Sequence, residues 1–333
     1  MDKILVVRLS SLGDILLTTP AVRVLAKRFP EAKIDFLVKE RYAPLLAQNP
    51  YLRKVIKLEK GDLPELLALR NTIRKEYDLV VDLHANLRSS VITPFFGGPS
   101  VVRFRKRSFS RFLLVRLKLN LLKGNLSVPE RYMKALEKFG VADDGLGLDF
   151  YADPSAEIRA KDMLHTLRFQ EKEAIVLAPG AKWPTKQWPL KKFIELCNLL
   201  PGQRFIVMGE EREKGLGEEI ERALPGRAVS LAGQTDFQIA GEILRRCKAM
   251  VTNDSGLMHL GCAVKVPVVA LFGSTCREFG FFPFRANSKV IEKKLSCRPC
   301  TAIGKSACKL GTLECLEGIS AEEVAEAVRG LLA

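Results

Sequence analysis

Short apolar runs alternate with longer amphipathic stretches along this chain. Lys3–Leu9 is almost continuously aliphatic, as expected of a strand buried in a parallel sheet. Further strands are predicted at Lys33–Val38, Lys54–Leu58, Asp78–Leu83 and Val101–Phe104. Helices are predicted between and after them, at Ile15–Arg28, Leu63–Lys75, Asn86–Phe96, Glu130–Phe139 and Ser155–Leu167. This alternation predicts an α/β fold with a doubly wound parallel sheet.

A second β/α series begins at Ala174–Leu177. Its further strands are predicted at Arg204–Met208, Ala228–Leu231, Ala249–Thr252 and Pro267–Phe272. Its helices are predicted at Lys191–Leu200, Arg212–Leu224, Phe237–Arg246, Leu257–Ala263 and Ser320–Leu332. We therefore expect two Rossmann-like domains, 1–168 and 169–333, facing a cleft, with the last helix able to pack back on the first domain.

Composition is typical of a globular protein of the cytoplasm. Of its 333 residues, 47% are hydrophobic, and no apolar run reaches the ~18–20 residues of a membrane span. The first residues, MDKILVVRLSS, do not resemble a signal peptide. We therefore expect the eight cysteines to be reduced thiols rather than a disulfide framework.

The formal net charge of +15 favours an anionic partner, and much of it is concentrated in Arg103–Lys123. This segment, RFRKRSFSRFLLVRLKLNLLK, has eight basic residues, no acidic residue, and interspersed Phe and Leu. It predicts contact with an anionic membrane surface or an anionic acceptor, with Arg103, Arg105, Lys106 and Arg107 as acceptor-binding candidates. The alternative is the solvated basic face of an ordinary core helix. No nucleic-acid-binding motif is recognised, so no nucleic-acid partner is expected.

The first candidate site is the turn Ser10–Asp14, between the first strand and the first helix. Gly13 would let the backbone approach a ligand, and Asp14 could act as a general base on a substrate hydroxyl. Ser10 and Ser11 lie in the same turn. Alternatively, Asp14 only caps the helix. The turn has neither the dinucleotide fingerprint nor a P-loop.

The second candidate is the loop PGAKWPTKQWP at 179–189, which follows a predicted strand. Thr185 and Lys186 could neutralise a diphosphate, while both tryptophans of the chain hold the loop rigid. Glu211, after the next strand, could bind ribose hydroxyls; alternatively it is an acidic first helical turn.

The third candidate is the strand–turn–helix AMVTNDSGLMHLGCA at 249–263. A helix beginning after this strand would present unpaired N–H groups and a positive dipole end to a phosphate. Asp254 and Ser255 suit its N-cap, Gly256 follows them, and His259 lies one turn in. Alternatively, this is a capped helix containing an ordinary histidine.

Four cysteines lie close together near the end of the chain. Cys297, Cys300, Cys308 and Cys315 resemble a structural zinc site, although the spacings of seven and six residues are atypical. A packed loop of reduced thiols is the alternative. No cofactor is otherwise expected.

Together these stretches resemble glycosyltransferase family 9, the ADP-heptose:lipopolysaccharide heptosyltransferases. The resemblance rests on five segments in register, which are KILVVRLSSLGDILLTTPAVRVLAKRFPEAKIDFLV, DLHANLRSS, PGAKWPTKQWP, MGEERE and VTNDSGLMHLGCAVKVPVVALFGST. It implies a GT-B fold with an N-terminal acceptor domain and a C-terminal nucleotide-sugar domain. It also implies inverting transfer of a heptose from ADP-heptose to the inner core on lipid A.

The resemblance carries roles onto matching positions. Asp14 matches the proposed general base, and Arg88 falls where the family has a basic residue facing the cleft. The donor contacts it implies are Thr185, Lys186, Glu211, Asp254, Ser255, Gly256 and His259. The phosphate loop lacks both the Thr pair of members that add the first heptose and the Gly-Pro-Ala insertion of those that add the second, which leaves the acceptor step open. We expect a monomer, peripheral on the inner face of the cytoplasmic membrane.

Two other functions remain compatible with the residues alone. One is a transferase or epimerase that uses another nucleotide-sugar on the same fold. The other is a non-catalytic basic module that binds membrane or nucleic acid, which would account for the charge but not for Asp14 or Lys186.

Overall fold

The computed structural model describes residues 1–93, 98–122, 124 and 126–333. Residue contacts divide the chain into two compact units. The first comprises Met1–Arg107 and Leu126–Tyr151, and the second comprises Ser108–Asn125 and Ala152–Ala333. The sequence analysis assigned 108–125 and 152–168 to the N-terminal domain, whereas their contacts group them with the second unit.

The first unit is built on a five-stranded parallel sheet. Its strands are Lys3–Val7 (β1), Lys33–Lys39 (β2), Lys54–Leu58 (β3), Leu79–Asp82 (β4) and Ser100–Arg103 (β5). Their order is β3-β2-β1-β4-β5, so the chain reverses its direction across the sheet between β1 and β4. In such sheets the carboxyl ends of the two strands flanking this reversal form a crevice for ligands.

Helices follow the strands as the hydrophobic pattern predicts. Those of the first half of the chain are Leu12–Leu16 (α1), Thr19–Arg28 (α2), Leu63–Glu76 (α3), Leu87–Ile92 (α4), Ser108–Leu117 (α5) and Val128–Lys134 (α6). Of these, α5 belongs to the second unit. The predicted helix Asn86–Phe96 begins one residue late, and residues 94–97, on which its predicted end falls, lie outside the described residues.

The helical stretch predicted over Ile15–Arg28 is divided in the structure into α1 and α2, with a break at residues 17–18. Pro20 lies in the first turn of α2, where its missing N–H costs nothing. The hydroxyls of Thr18 and Thr19 donate to the carbonyls of Ile15 and Leu16, at 2.6 and 2.7 Å. These bonds satisfy carbonyl groups at the end of α1.

The second unit is built on a six-stranded parallel sheet. Its strands are Ile175–Ala178 (β6), Phe205–Val207 (β7), Ala228–Ser230 (β8), Ala249–Asn253 (β9), Val268–Phe272 (β10) and Ser288–Glu292 (β11). The order is β11-β10-β9-β6-β7-β8, which places the reversal between β6 and β9. The edge strand β11 was not predicted.

The helices of this half are Pro154–Thr166 (α7), Leu190–Asn198 (α8), Lys214–Ala223 (α9), Phe237–Arg246 (α10), Gly256–Ala263 (α11), Glu314–Glu317 (α12) and Ala321–Leu332 (α13). The last helix packs within the second unit, where Val324 and Val328 join a buried cluster with Phe193 and Leu196 of α8. In the ranges described, no helix is both long and apolar enough to cross a bilayer.

Candidate active site

In the first unit, the candidate residues lie at the carboxyl end of β1, next to the reversal of the sheet. Asp14 lies in the first turn of α1, and its Oδ2 accepts hydrogen bonds from Ser11, from the hydroxyl at 2.9 Å and the backbone N–H at 3.3 Å. The capping role is therefore present. The carboxylate also keeps 24% of its side chain exposed, so a substrate hydroxyl could reach it.

Arg8, which the sequence analysis did not single out, holds the other oxygen of Asp14. Its Nη2 lies 2.6 Å from Asp14 Oδ1. Its remaining donors reach the carbonyls of Ser10 (2.8 Å) and Leu83 (2.7 Å) and the hydroxyl of Tyr132 (3.1 Å). Burial disfavours its charge, but Tyr132 and Asp14 outweigh this and raise the pKa of Arg8. Arg8 is thus a buried, permanently charged group that orients the carboxylate.

The segment DLHANLRSS forms the turn at the carboxyl end of β4. Buried Asp82 accepts hydrogen bonds from the backbone N–H groups of His84 (3.0 Å) and Ala85 (2.8 Å) and from the hydroxyl of Ser89 (2.9 Å). It also pairs with Arg103 at 2.9 Å. Asp82 therefore organises the turn, and the sequence analysis overlooked it.

His84, within this turn, is held neutral. Burial lowers its pKa to about 4, and the positive charges of Arg8 and Lys106 act in the same direction. One ring nitrogen, Nε2, lies 2.8 Å from the side-chain nitrogen of Asn86. A neutral imidazole here adds no charge to a site that already contains Arg8.

The predicted acceptor-binding cations differ in how they are held. The guanidinium of Arg103 is engaged by Asp82 and by the hydroxyl of Thr93 (2.6 Å), so it braces the end of β5. Arg88, Arg105 and Arg107 are exposed, and Lys106 is half-buried. Their acceptor-binding roles stay predictions. Ser10 and Gly13 lie beside Asp14 in the β1–α1 turn.

In the second unit, the loop after β6 and the turn after β9 meet at the reversal of the sheet. Lys186 Nζ lies 2.7 Å from Asp254 Oδ2. The hydroxyl of Thr275, after β10, donates to the same carboxylate oxygen at 2.8 Å. The structure thus corrects the interpretation of Asp254 as a helix cap, because its side chain orients Lys186 instead. An ammonium has three donors, so Lys186 could bind Asp254 and still bind a phosphate.

Thr185 anchors the loop. Its hydroxyl donates to the carbonyl of Lys305 at 3.1 Å and accepts from the N–H of Lys305 at 2.8 Å. The hydroxyl of Ser274 also donates to it, at 3.3 Å. Since the Thr185 proton is used by Lys305, the phosphate contact expected for Thr185 stays a prediction.

The two tryptophans fix this loop in different ways. Trp188 is fully buried, and its indole N–H donates to the carbonyl of Ile319 at 3.1 Å. Its backbone N–H donates to the side chain of Asn253, at the end of β9, at 3.0 Å. Trp183 packs so tightly on Gly304 that a Cβ on this glycine would lie 2.5 Å from the indole. These contacts confirm that the tryptophans hold the loop. None of them involves the side chain of Lys186, which faces Asp254.

The helix α11 begins at Gly256 with Ser255 as its N-cap residue, directly after Asp254. No acidic residue lies in its first turn, so the dipole of the helix favours an anion there. His259 is buried in the same helix. Together with Lys186, the start of α11 forms a positively polarised position at the carboxyl ends of β6 and β9, suited to a diphosphate.

Glu211 lies at the carboxyl end of β7, in a 3₁₀ turn over Glu211–Glu213. Its carboxylate rests against Gly233, where a Cβ would lie 2.2 Å from Oε2. Glu213, which the sequence analysis overlooked, is buried and accepts the N–H of Glu210 at 2.9 Å. Burial raises the pKa of Glu213. Glu213 therefore shapes the turn, whereas Glu211 is exposed, and its ribose-binding role stays a prediction.

All eight cysteines are free thiols. Cys297, Cys300, Cys308 and Cys315 lie near enough for the first three to raise the pKa of the Cys315 thiol, although burial is the larger cause. Within the described ranges, no three His, Cys, Asp or Glu side chains are placed to hold a metal ion. The structural zinc therefore stays a prediction, which metal analysis of the purified protein would test.

Two α/β units with parallel sheets and a candidate diphosphate position at the second reversal are the features expected of a nucleotide-sugar glycosyltransferase of the GT-B fold. A model of the family described as "Glycosyltransferase family 9 (heptosyltransferase)" matches residues 66–310. The chain belongs to glycosyltransferase family 9.

Relatives agree with this membership. Lipooligosaccharide heptosyltransferase 2 of Haemophilus influenzae is 33% identical, covering 83% of this chain and 84% of the relative. Lipopolysaccharide heptosyltransferase 2 of Escherichia coli K12 is 30% identical with the same coverages. The solved structure of the E. coli ADP-heptose lipopolysaccharide heptosyltransferase II is 26% identical, with a TM-score of 0.76 over 99% of this chain and 98% of that one. Of the functions left open by the residues, the non-catalytic module is thereby excluded.

Proposed function

We propose that this enzyme transfers a heptose from ADP-heptose to the inner core of lipopolysaccharide on lipid A, with inversion at the anomeric carbon. One observation carries the proposal: relatives at 30% identity or more over most of both chains are named lipooligosaccharide or lipopolysaccharide heptosyltransferases. The diphosphate position of the second unit supplies the chemistry that such a donor needs.

On the donor side, Lys186 and the first turn of α11 stabilise the negative charge that develops on the departing ADP. Preorganised charge of this kind usually makes the largest single contribution to catalysis. Asp254 keeps the lysine aimed, and Glu211 accepts hydrogen bonds from the ribose. His259, buried in α11, is proposed to support the ADP site from within the helix.

On the acceptor side, Asp14 takes the proton from the attacking hydroxyl. Arg8 and Ser11 each engage one carboxylate oxygen, which fixes the direction of the remaining lone pairs. The acceptor is held by exposed cations of the first unit, among which Arg105, Arg107 and Arg88 are candidates. A phosphorylated sugar would satisfy their charge.

Lys186 and the α11 dipole supply the charge that a metal ion would otherwise supply, so we propose that no metal cofactor is required. Full activity in the presence of EDTA is the expected result. Because the acceptor is a lipid, we also propose that the protein is peripheral on the cytoplasmic face of the inner membrane. We propose a monomer as its oligomeric state.

Thermal-shift measurements with ADP, UDP, GDP and their sugars test the donor class. We expect stabilisation by ADP and ADP-heptose alone. Stabilisation by UDP or its sugars instead would favour the remaining alternative, a transferase or epimerase for another nucleotide-sugar.

The substitution Asp14→Asn tests the base. It keeps the shape of the side chain, and the remaining oxygen can still accept a hydrogen bond from Arg8. The oxygen that accepts from the backbone N–H of Ser11 becomes an NH2 group, and the basic carboxylate is lost. Transfer should nearly disappear while ADP binding is unchanged; an enzyme that still turned over would have another base.

The acceptor step is tested with core acceptors that carry no heptose, one heptose or two. The two relatives described above, at 33% and 30% identity, are both named heptosyltransferase 2, which favours the step performed by those enzymes. Activity confined to another acceptor of the series would assign a different step.

A further inference from the structure

The helix α5 has two different faces, and the inner one is bound firmly to the second unit. Arg111 lies over the rings of Phe279 and Phe281, with its Cζ 5.8 and 5.5 Å from their centroids. Leu114, one turn later, is buried in a cluster with Phe279 and Cys276. Residues 111, 114 and 115 follow helical spacing, so this face is the one that packs.

The chain beyond α5 is tied down as well. Lys118 Nζ donates to the carbonyls of Cys297 and Pro299, both at 2.8 Å. The side chain of Asn120 donates to Glu278 at 3.0 Å, and Leu122 is fully buried in the same cluster as Leu114. The segment 108–122 is therefore an ordered part of the second unit with a fixed outward surface.

That outward surface is apolar. On α5, Phe109 is 72% exposed and Phe112 is 55% exposed, one turn apart on the face opposite Leu114. Leu117, the last residue of α5, is 60% exposed, and Leu119 and Leu121, which follow the helix, are 54% and 61% exposed. Five large apolar side chains thus reach solvent within 13 residues. Isolated exposed leucines are ordinary, but this many exposed large apolar side chains in one short, anchored segment indicate a contact surface.

The charges carried by the segment itself are of one sign. Arg116, on α5, is exposed, and the stretch 103–123 contains no acidic residue. A solvated basic face, the alternative left open by the sequence, would have charged rather than aromatic residues outermost. A second copy of this chain would bring arginines against arginines, which is unfavourable.

We propose that the outer face of α5 and the following leucines form the membrane-docking surface of this enzyme, with an anionic bilayer as the partner. Phe109, Phe112 and the leucines would enter the boundary between headgroups and acyl chains, and Arg116 would meet the anionic headgroups. Amphipathic segments with basic and aromatic residues bind bilayers in this way. The surface, here called the docking face, belongs to the same unit as the donor-phosphate residues Lys186 and Asp254.

The inference rests on the proposed function in that a lipid-borne acceptor requires a membrane contact. It goes further by assigning that contact to particular side chains outside the catalytic groups. Activity on a water-soluble, deacylated core acceptor should not depend on the docking face. A failure of the docking face and a failure of the proposed transfer can therefore be told apart.

The test is flotation of the full-length protein with vesicles of phosphatidylethanolamine and phosphatidylglycerol, compared with phosphatidylcholine alone. We expect binding to the anionic vesicles only. The double variant Phe109→Ser/Phe112→Ser should bind at least about tenfold more weakly, since two buried apolar side chains are lost. Arg116→Gln should weaken binding about fivefold, the effect of one basic residue near an anionic surface.

The matched control is Ile158→Ser on α7, which removes an apolar side chain of similar exposure (61%) from elsewhere on the same unit. It should bind vesicles like the wild type. The thermal midpoints of all variants should agree, because each replaced side chain is exposed. Their activity on the soluble acceptor should also be unchanged.

Three results would overturn the proposal. The first is a wild-type protein that does not float with anionic vesicles, and the second is a double variant that floats as well as the wild type. The third is a concentration-dependent dimer that the double variant abolishes, since the occupant of the docking face would then be a second copy.

Discussion

Replacing Lys186 with Met should destabilise the second unit as well as weaken donor binding. The lysine keeps 15% of its side chain exposed and Asp254 only 7%, so the pair is nearly buried. Without the ammonium, the Asp254 carboxylate would keep the hydroxyl of Thr275 but lose its counter-charge. A buried charge that loses its partner is strongly unfavourable.

The size of the effect follows from this burial. Breaking a buried pair by removing one partner costs about 3–5 kcal/mol, and the retained Thr275 bond places Lys186→Met near 3 kcal/mol. For a domain of roughly 150–250 residues, this corresponds to a thermal midpoint lower by about 6–12 °C. The affinity for ADP should fall about tenfold to 150-fold, the value of a charge-assisted hydrogen bond.

A double variant separates the two effects. In Lys186→Met/Asp254→Asn, the neutral amide no longer needs a counter-charge, so most of the lost stability should return while ADP affinity stays low. Lys182→Met is the control, because Lys182 is exposed on the same loop and should change neither quantity markedly.

The measurements are calorimetric unfolding and titration with ADP. The reasoning is refuted if Lys186→Met unfolds at the wild-type temperature, or if the double variant is no more stable than the single one. An unchanged ADP affinity in both would remove Lys186 from the donor site.

The remaining predictions concern positioning, backbone fit and pH. Arg8→Met should lower the rate of transfer about tenfold to a hundredfold through misplacement of Asp14, with ADP affinity unchanged in titrations and partial recovery in Arg8→Lys. Gly304→Ala should lower the free energy of unfolding by at least about 1–2 kcal/mol in urea, because φ is +115° and the new methyl would strike Trp183. Gly215→Ala is the control and should lower it less, because Gly215 has open space around it. The pKa of His84 is about 4 in the folded protein and near 6.5 in the unfolded chain. The unfolded chain therefore binds a proton more readily, so the free energy of unfolding is at its full value above pH 6.5 and decreases as the pH falls toward 4. In His84→Gln the slope of stability against pH over this interval should be smaller by up to about 1.4 kcal/mol per pH unit, and an unchanged slope would contradict the burial argument.

Most strands could be predicted because a parallel sheet covered on both faces requires uninterrupted apolar runs. The observed β1 to β4 and β6 to β10 lie within two residues of the predictions. The edge strand β11 escaped because only Ile291 of its five residues is buried, so SKVIE shows no apolar run. These residues form a strand because they pair with β10, and the local sequence does not reveal that pairing.

The parts of the candidate site that could be predicted are those where the type of residue at the end of a strand is enough to indicate a ligand-binding role. The loop with Lys186 and the turn with Asp254 were both placed correctly at strand ends, and the structure brings them within 2.7 Å. Their pairing was missed, because Asp254 next to a helix start looks like a cap. The Asp254 side chain is held away from the helix start by a hydrogen bond from Thr275, which lies after another strand and is distant from the turn in sequence.

Arg8 was overlooked for a similar reason. Its partners Leu83 and Tyr132 lie 75 and 124 residues away, so no local spacing points to them. A general signal was nevertheless available. An arginine directly after a fully buried strand is rarely buried unless it is paired, and Asp14 was the nearest acidic partner in the same turn.

The central claim is tested most directly by following transfer itself with mass spectrometry. The purified protein is incubated with a deacylated inner-core acceptor and either ADP-heptose or UDP-glucose. The account predicts an acceptor heavier by one heptosyl unit with ADP-heptose, release of ADP, and no product in the Asp14→Asn variant. Transfer from UDP-glucose in place of ADP-heptose, or no transfer to any acceptor of the heptose series, would contradict it.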